Sequence, residues 1–227
     1  KKNKAVLVEK PLIFNKKQEK TILGLLKKKN KLQVSYPYIY SPSLNFSKNF
    51  LKKNKIGKIK LIQINFMQAG RFTGYGVDKL LGVHVISILS LFVDVNKLSF
   101  RKKTIINNNN IEETISYEAF YNKKVYFLIN ISINYYSNIK EKKINIFCEK
   151  GIINIDLNND KNVQINKLQK IRTKNYSSAK INKLITKSFN EQNNIKNVIE
   201  EFIKNNKRNF YLNNFNLTCK INNFLNL

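Results

Sequence analysis

Tryptophan is absent from this 227-residue sequence. Methionine and histidine occur once each, cysteine twice, proline three times and glycine seven times. Each shortage excludes something. One histidine and two isolated cysteines, Cys148 and Cys219, leave a zinc site without ligands, and no metal site is expected. No G-x-G-x-x-G opens a helix after a strand, and Gly74-x-Gly76 stands in the wrong place for one, so no dinucleotide phosphate loop is expected within the chain. The longest apolar stretch, Leu80 to Val93, carries His84 and serines and is too short to span a bilayer; it reads as a buried helix. With no signal peptide and two unpatterned cysteines, a reducing, cytoplasmic setting without membrane attachment is expected, a Cys148–Cys219 disulfide remaining the alternative. Arginine is scarce too. Arg71, Arg101, Arg172 and Arg208 are the only ones among 42 basic residues.

That last shortage governs the reading of a formal net charge of +28. A basic chain suggests a nucleic-acid partner, but a dedicated phosphate reader uses the bidentate guanidinium. Abundant lysine, asparagine and isoleucine beside scarce glycine, proline, alanine and tryptophan is the signature of A- and T-rich codons. No specific nucleic-acid partner is therefore expected, and a basic nucleic-acid-binding protein is the weakest of the readings. At 42% hydrophobic residues the chain has material for a real core.

Ala5–Glu9 reads as a strand, Lys16–Lys29 as an amphipathic helix and Leu32–Tyr36 as a second strand. Ser41 to Asn54 reads as a helix capped by Ser41 with Pro42 in its first turn, and Lys58–Gln68 as a strand. After Val93 come five strand candidates in a row: Lys97–Ile106, Glu112–Tyr121, Val125–Tyr135, Ile144–Phe147 and Ile152–Leu157. Asn107–Asn110 is expected to be a loop. Strands without intervening helices predict an antiparallel meander with one face covered. Lys167–Ser188 has no period and is expected to be an irregular crossing segment; helices over Asn190–Asn205 and about Asn213–Leu225 close the chain.

Glu9-Lys10-Pro11 leaves the first apolar run and is turned by proline. This puts Lys10 at the tip of a strand, where open α/β sheets carry their chemistry, or in a plain surface turn. The segment Lys4–Leu12 with the helix after it resembles the Gfo/Idh/MocA family of nicotinamide-dependent sugar and polyol oxidoreductases. Leu32–Pro42, Lys55-Ile-Gly-Lys-Ile59, Gly74–His84, Lys142–Asp156 and the Val198–Ile203 helix are similar to family segments in the same order.

The resemblance implies an α+β fold: a large, mostly antiparallel sheet with helices on one face, preceded by the last strand-helix piece of a Rossmann-type domain. Residues 1–31 would be the tail of that nucleotide-binding domain, and 32–227 the substrate-binding and oligomerisation domain. The chain opens on lysine and would begin just before the junction, so the cofactor half is expected to be missing from it. NAD or NADP would be the cofactor, touched here by Glu9, Lys10 and Pro11. The partners would be a sugar or polyol substrate and further copies of the chain through the sheet face. Lys10 and His84 would be catalytic. The family's aspartate one turn before the histidine is replaced by Leu80, and Asp78 lies two residues off. Tyr36, Arg71 and Asp78 would bind substrate.

Each assignment has a plainer alternative. The plainer reading of His84 is a core histidine, of Tyr36 sheet packing, of Arg71 a solvated loop residue and of Asp78 a helix cap. A non-catalytic relic that binds sugar or only oligomerises is the second reading of the whole chain.

Overall fold

Strand pairing sorts the chain into two bodies of different build. The computed structural model describes residues 5–28, 30–70, 74–138, 140–158, 162–172, 177–190, 193–205 and 207–226. One unit gathers Lys1–Tyr40, Asp78–Asn96 and Asn193–Leu227; the other comprises Ser41–Val77 and Lys97–Gln192.

The first unit opens with a strand–helix–strand crossover: β1 (Ala5–Val8), α1 (Lys16–Lys27) and β2 (Lys31–Val34), the strands pairing in parallel. The Lys10–Pro11 peptide between β1 and α1 is cis. α1 starts at a capping box: Asn15 accepts from the Gln18 N–H, and the Gln18 side chain accepts from the Asn15 N–H. Leu26 on its inner face joins Tyr211 and Phe215 in a buried cluster that also draws in Phe14, Ile22, Leu32 and Phe202.

Next come a 3₁₀ turn (Pro37–Tyr40), a π-helical turn (Asp78–Gly82) running into α3 (Val83–Leu89), and two terminal helices. These are α4 (Asn194–Lys204), capped by Asn193, and α5 (Arg208–Leu225). α5 is held to β2 by one side chain: Asn214 Oδ1 accepts from the Val34 N–H (2.7 Å) and its Nδ2 donates to the Val34 carbonyl (3.0 Å). The buried amide pairs with the strand backbone as a neighbouring strand would.

The second unit is α2 (Pro42–Lys52) on an eight-stranded sheet: β3 (Ile59–Met67), β4 (Leu98–Asn108), β5 (Ile111–Tyr121), β6 (Val125–Ser132), β7 (Glu141–Cys148), β8 (Gly151–Asp156), β9 (Asn162–Arg172) and β10 (Ser177–Ser188). Ser41 caps α2 and Pro42 fills its first turn, as the sequence predicts. α2 packs on β8 and β9. The spatial order is β10-β9-β8-β7-β3-β6-β5-β4. The fold class read from the sequence holds: α+β, with a large, mostly antiparallel sheet.

Two expectations fail. The strands after Val93 do not form a plain meander, because β3 inserts between β6 and β7, parallel to the first and antiparallel to the second. Lys167–Ser188 is no irregular crossing: residues 167–172 and 177–188 lie in β9 and β10, which pair antiparallel at the sheet edge. Among the described side chains of β9 and β10 only Val163 and Ile165 are fully buried, and most of those on β10 face water, so no buried face imposes a period of two. The expected loop at Asn107–Asn110 shrinks to a two-residue turn at Asn109–Asn110, both with positive φ; the next hairpin turns over three residues, Asn122–Lys124, of which Asn122 and Lys123 have positive φ. In a chain poor in glycine, asparagine supplies most of the left-handed backbone.

One face of the sheet is core, carrying Ile62, Ile64, Phe66, Phe127, Ile129 and Ile146. The other is half-exposed and carries a hydrogen-bonded row across four strands. The Ser116 hydroxyl donates to Asn130 Oδ1 (3.0 Å), Asn130 Nδ2 to Asn65 Oδ1 (3.0 Å) and Asn65 Nδ2 to Glu141 Oε1 (2.7 Å). A second row, Gln63–Asn145–Asn154–Gln164, lies beside it in register. Cys148 and Cys219 are both free thiols, so the disulfide alternative is not realised. Among the described residues no helix is long and apolar enough to cross a membrane, and no cluster of His, Cys, Asp or Glu could hold a metal ion.

Candidate active site

The tip of β1 reaches the helix that carries the single histidine. Lys10 is half-buried, and its Nζ donates to the Leu80 carbonyl oxygen at 2.7 Å, a contact across seventy residues of sequence. Leu80 lies in the π turn that replaces the first turn of the expected helix over Leu80–Val93. Wider turns of this kind recur at functional sites, and here the amine binds a carbonyl of the irregular turn itself. His84 follows four residues later, at the start of α3 and half-buried. Its imidazole meets the Tyr38 ring edge-on, centroids 5.2 Å apart and planes at 85°. The Ser87 hydroxyl donates to the His84 carbonyl (2.7 Å).

Lys10 and His84 are thus brought to one place in the first unit; the other candidates divide. Glu9 is exposed and Pro11 half-buried at the same tip. Asp78 is buried, its Oδ1 3.3 Å from where a Cβ on Gly82 would stand; a larger residue at Gly82 would press on this carboxylate and on Leu225. Tyr36 is buried in the core, its hydroxyl donating to Thr218 Oγ1 (3.1 Å), and burial pushes its phenol far above the usual range. Arg71 lies outside the described residues.

The tyrosine that touches the histidine is Tyr38. The signal that could have found it is Pro37, which ends the strand expected over Leu32–Tyr36 and starts the 3₁₀ turn that carries Tyr38. Tyr40 turns inward to accept from Gln33 Nε2 (3.2 Å), with burial raising its phenol to about 12. What the arrangement offers is an ammonium and an imidazole mounted on either side of one turn of backbone, with an aromatic wall beside the imidazole.

No family model and no curated protein matches the sequence. Solved structures do share its fold. KijD10, a 3-ketoreductase from Actinomadura kijaniata in complex with TDP-benzene and NADP, superposes with a TM-score of 0.71 at 13% identity over 98% of this chain and 68% of that one. UDP-N-acetylglucosamine 3-dehydrogenase GnnA from Acidithiobacillus ferrooxidans gives 0.65 at 12% identity, covering 98% of this chain and 73% of that one. Levoglucosan dehydrogenase in complex with NADH gives 0.70 at 13%, covering 95% and 68%. At these identities the likeness is one of fold.

Proposed function

We propose that this chain is the substrate-binding part of an NAD- or NADP-dependent oxidoreductase of the Gfo/Idh/MocA kind, acting on a ring hydroxyl of a sugar, sugar nucleotide or inositol-like polyol. The observation that carries this reading is the Lys10–Leu80 bond, which sets the Glu-Lys-Pro turn against the helix of His84. The shared fold of sugar and sugar-nucleotide oxidoreductases supports it.

The residues present fit the reacting end of a dinucleotide, where Glu9, Lys10 and Pro11 would lie, and not its diphosphate. The Glu9–Asn15 connection contains no glycine, and Asn15 already caps the first turn of α1. Phosphate binding would fall to a separate glycine-rich domain. The boundary at residues 31 and 32 is proposed in that sense, as a division between cofactor-side and substrate-side roles.

A bound nicotinamide supplies the hydride acceptor or donor. Lys10, whose ammonium is held at the Leu80 carbonyl, would orient and polarise a substrate hydroxyl. His84 takes or returns that hydroxyl's proton, with Tyr38 fixing the plane of its ring. The outer sheet face, with Asn65, Asn130, Asn145 and Asn154 in two polar rows, would be the face on which copies assemble.

The test is cofactor reduction or oxidation at the nicotinamide absorbance band, using the full-length protein and a panel of sugars, sugar nucleotides and inositols. Turnover that falls on the order of a hundredfold or more in Lys10→Ala and in His84→Ala supports the reading. Silence with both cofactors across the panel favours the second reading, a non-catalytic sugar-binding or oligomerising domain. The observation on that side is Leu80, which leaves His84 without a carboxylate one turn before it.

A further inference from the structure

Beyond the histidine helix, the second unit holds a cavity of about 370 Å³ where the ends of β4, β5 and β6 converge, within the size range of small-ligand pockets. Its walls include Asn108, Ile111, Glu113, Asn134 and Tyr136. The backbone there is pinned: the Ile133 N–H donates to the Glu113 carbonyl (2.9 Å), the Gly70 N–H to the Ile133 carbonyl (3.1 Å) and the Asn134 N–H to Ser132 Oγ (3.0 Å).

Glu113 is only 5% exposed, yet among the described residues no cation pairs with its carboxylate. Its partners among the described residues are two neutral amides: Asn108 Nδ2 at 3.3 Å on Oε1 and Asn134 Nδ2 at 2.6 Å on Oε2. The same Asn134 presents its own Oδ1 buried and, among the described residues, without a hydrogen-bond partner. A carboxylate has about four acceptor positions, and two are used here. Buried acceptors without donors destabilise a fold unless something bound supplies the donors. At the rim stands Tyr136, an aromatic ring 84% exposed to water.

Acceptors on one wall and an aromatic face at the mouth select a ligand with adjacent O–H donors on one side and a C–H face on the other. We propose that this cavity binds a ring polyol with neighbouring hydroxyl groups, which donate to Glu113 and Asn134 while the ring lies on Tyr136. The inference stands on the cavity's chemistry and takes from the proposed reaction only its choice of probes.

Saturation-transfer difference NMR on the protein with myo-inositol, D-glucose and N-acetyl-D-glucosamine, without nicotinamide, tests it. At least one of the three is expected to bind saturably. The affinity falls roughly tenfold or more in Glu113→Gln, where a charge-assisted acceptor is lost, and roughly two- to tenfold in Tyr136→Ala. Melting curves check that Glu113→Gln still folds, and Tyr136 is exposed enough for its truncation to leave the fold intact. Binding by none of the three, or binding unchanged in both variants, overturns the proposal. So does preferential binding of ethylammonium, which makes the cavity a cation site. Because no cofactor is present, failure here leaves the hydride-transfer reading standing, and absence of turnover leaves the binding result standing.

Discussion

The two units of this molecule are held together by different means. The second is a sheet whose strands pair along most of their length, so its cohesion is spread over dozens of backbone hydrogen bonds and a continuous apolar face. The first is assembled from three distant stretches of chain, the first and last of which share a buried apolar cluster, and its polar ties are single side chains: Lys10 to Leu80, Asn214 to Val34, Tyr36 to Thr218, Asn222 to Leu12 and Lys220 to Asp94. Distributed pairing tolerates the loss of one contact, whereas a tie made by one side chain does not. The candidate catalytic pair sits in the unit built from such ties. There the chain places individual groups with precision, at the cost of redundancy.

The largest expected effect comes from emptying the first unit's core. Phe215 is fully buried and stacks on Phe14, centroids 5.1 Å apart, so Phe215→Ala should cost about 3–5 kcal/mol in urea unfolding. If the units unfold separately, only the helical part of the far-ultraviolet signal will shift; a single shifted transition would show that the two behave as one. Asn214→Ala should cost about 2–3 kcal/mol, because it strips partners from both backbone groups of a buried residue. Loss of any single side-chain bond on the outer sheet face, such as Ser116→Ala, should cost well under that. Equal losses would erase the contrast between the units.

Alkaline titration sharpens the comparison further. Burial raises the Cys219 thiol to about 11 and the Tyr40 phenol to about 12 in the first unit, and the Cys148 thiol to about 11 in the second. These are neutral acids whose folded-state values are raised. The stability they carry is therefore complete below their ordinary values of 9.0 to 10.0 and is lost as pH rises through 11 and 12. Tyr36 adds to the first unit in the same sense. Circular dichroism between pH 9 and 12 should lose helix before sheet; simultaneous loss would contradict it. The smallest effect is expected at the Asn109–Asn110 turn, where Asn109→Gly should change stability by less than about 1 kcal/mol, since both residues accept positive φ.

How far the sequence speaks depends on which kind of cohesion is at work. Strands β5 to β8 and helix α2 were legible because a buried face writes a period into the residues, and Ser41-Pro42 writes a start signal. β9 and β10 were not, since a hairpin at the sheet edge with mostly exposed side chains leaves lysine and asparagine free to occupy most positions. The insertion of β3 beside β6 is a long-range choice that no local pattern encodes.

At the site, Lys10 and His84 emerged from resemblance to a family, because their approach depends on a contact seventy positions apart. The π turn was invisible for another reason. Leu80 and Leu81 run on into the apolar stretch of α3, and a periodicity of 3.6 reads through the turn without a break. Tyr36, at the end of the strand expected over Leu32–Tyr36, lies in the core, and it is Tyr38, in the 3₁₀ turn that follows, that meets the imidazole.

The row from Ser116 to Glu141 carries a consequence of its own. Every donor in it points the same way: hydroxyl to amide oxygen, amide to amide oxygen, amide to carboxylate. An ionised carboxylate only accepts, so Glu141 forces Asn65 to turn its NH₂ outward, which in turn orients Asn130 and then Ser116. The flat side of the sheet thereby acquires a polarity, with a donor-hungry end at β7 and a hydroxyl end at β5. Glutamine in place of Glu141 could donate as well as accept, and the whole row would be free to reverse. A single charge thus gives four strands a common compass.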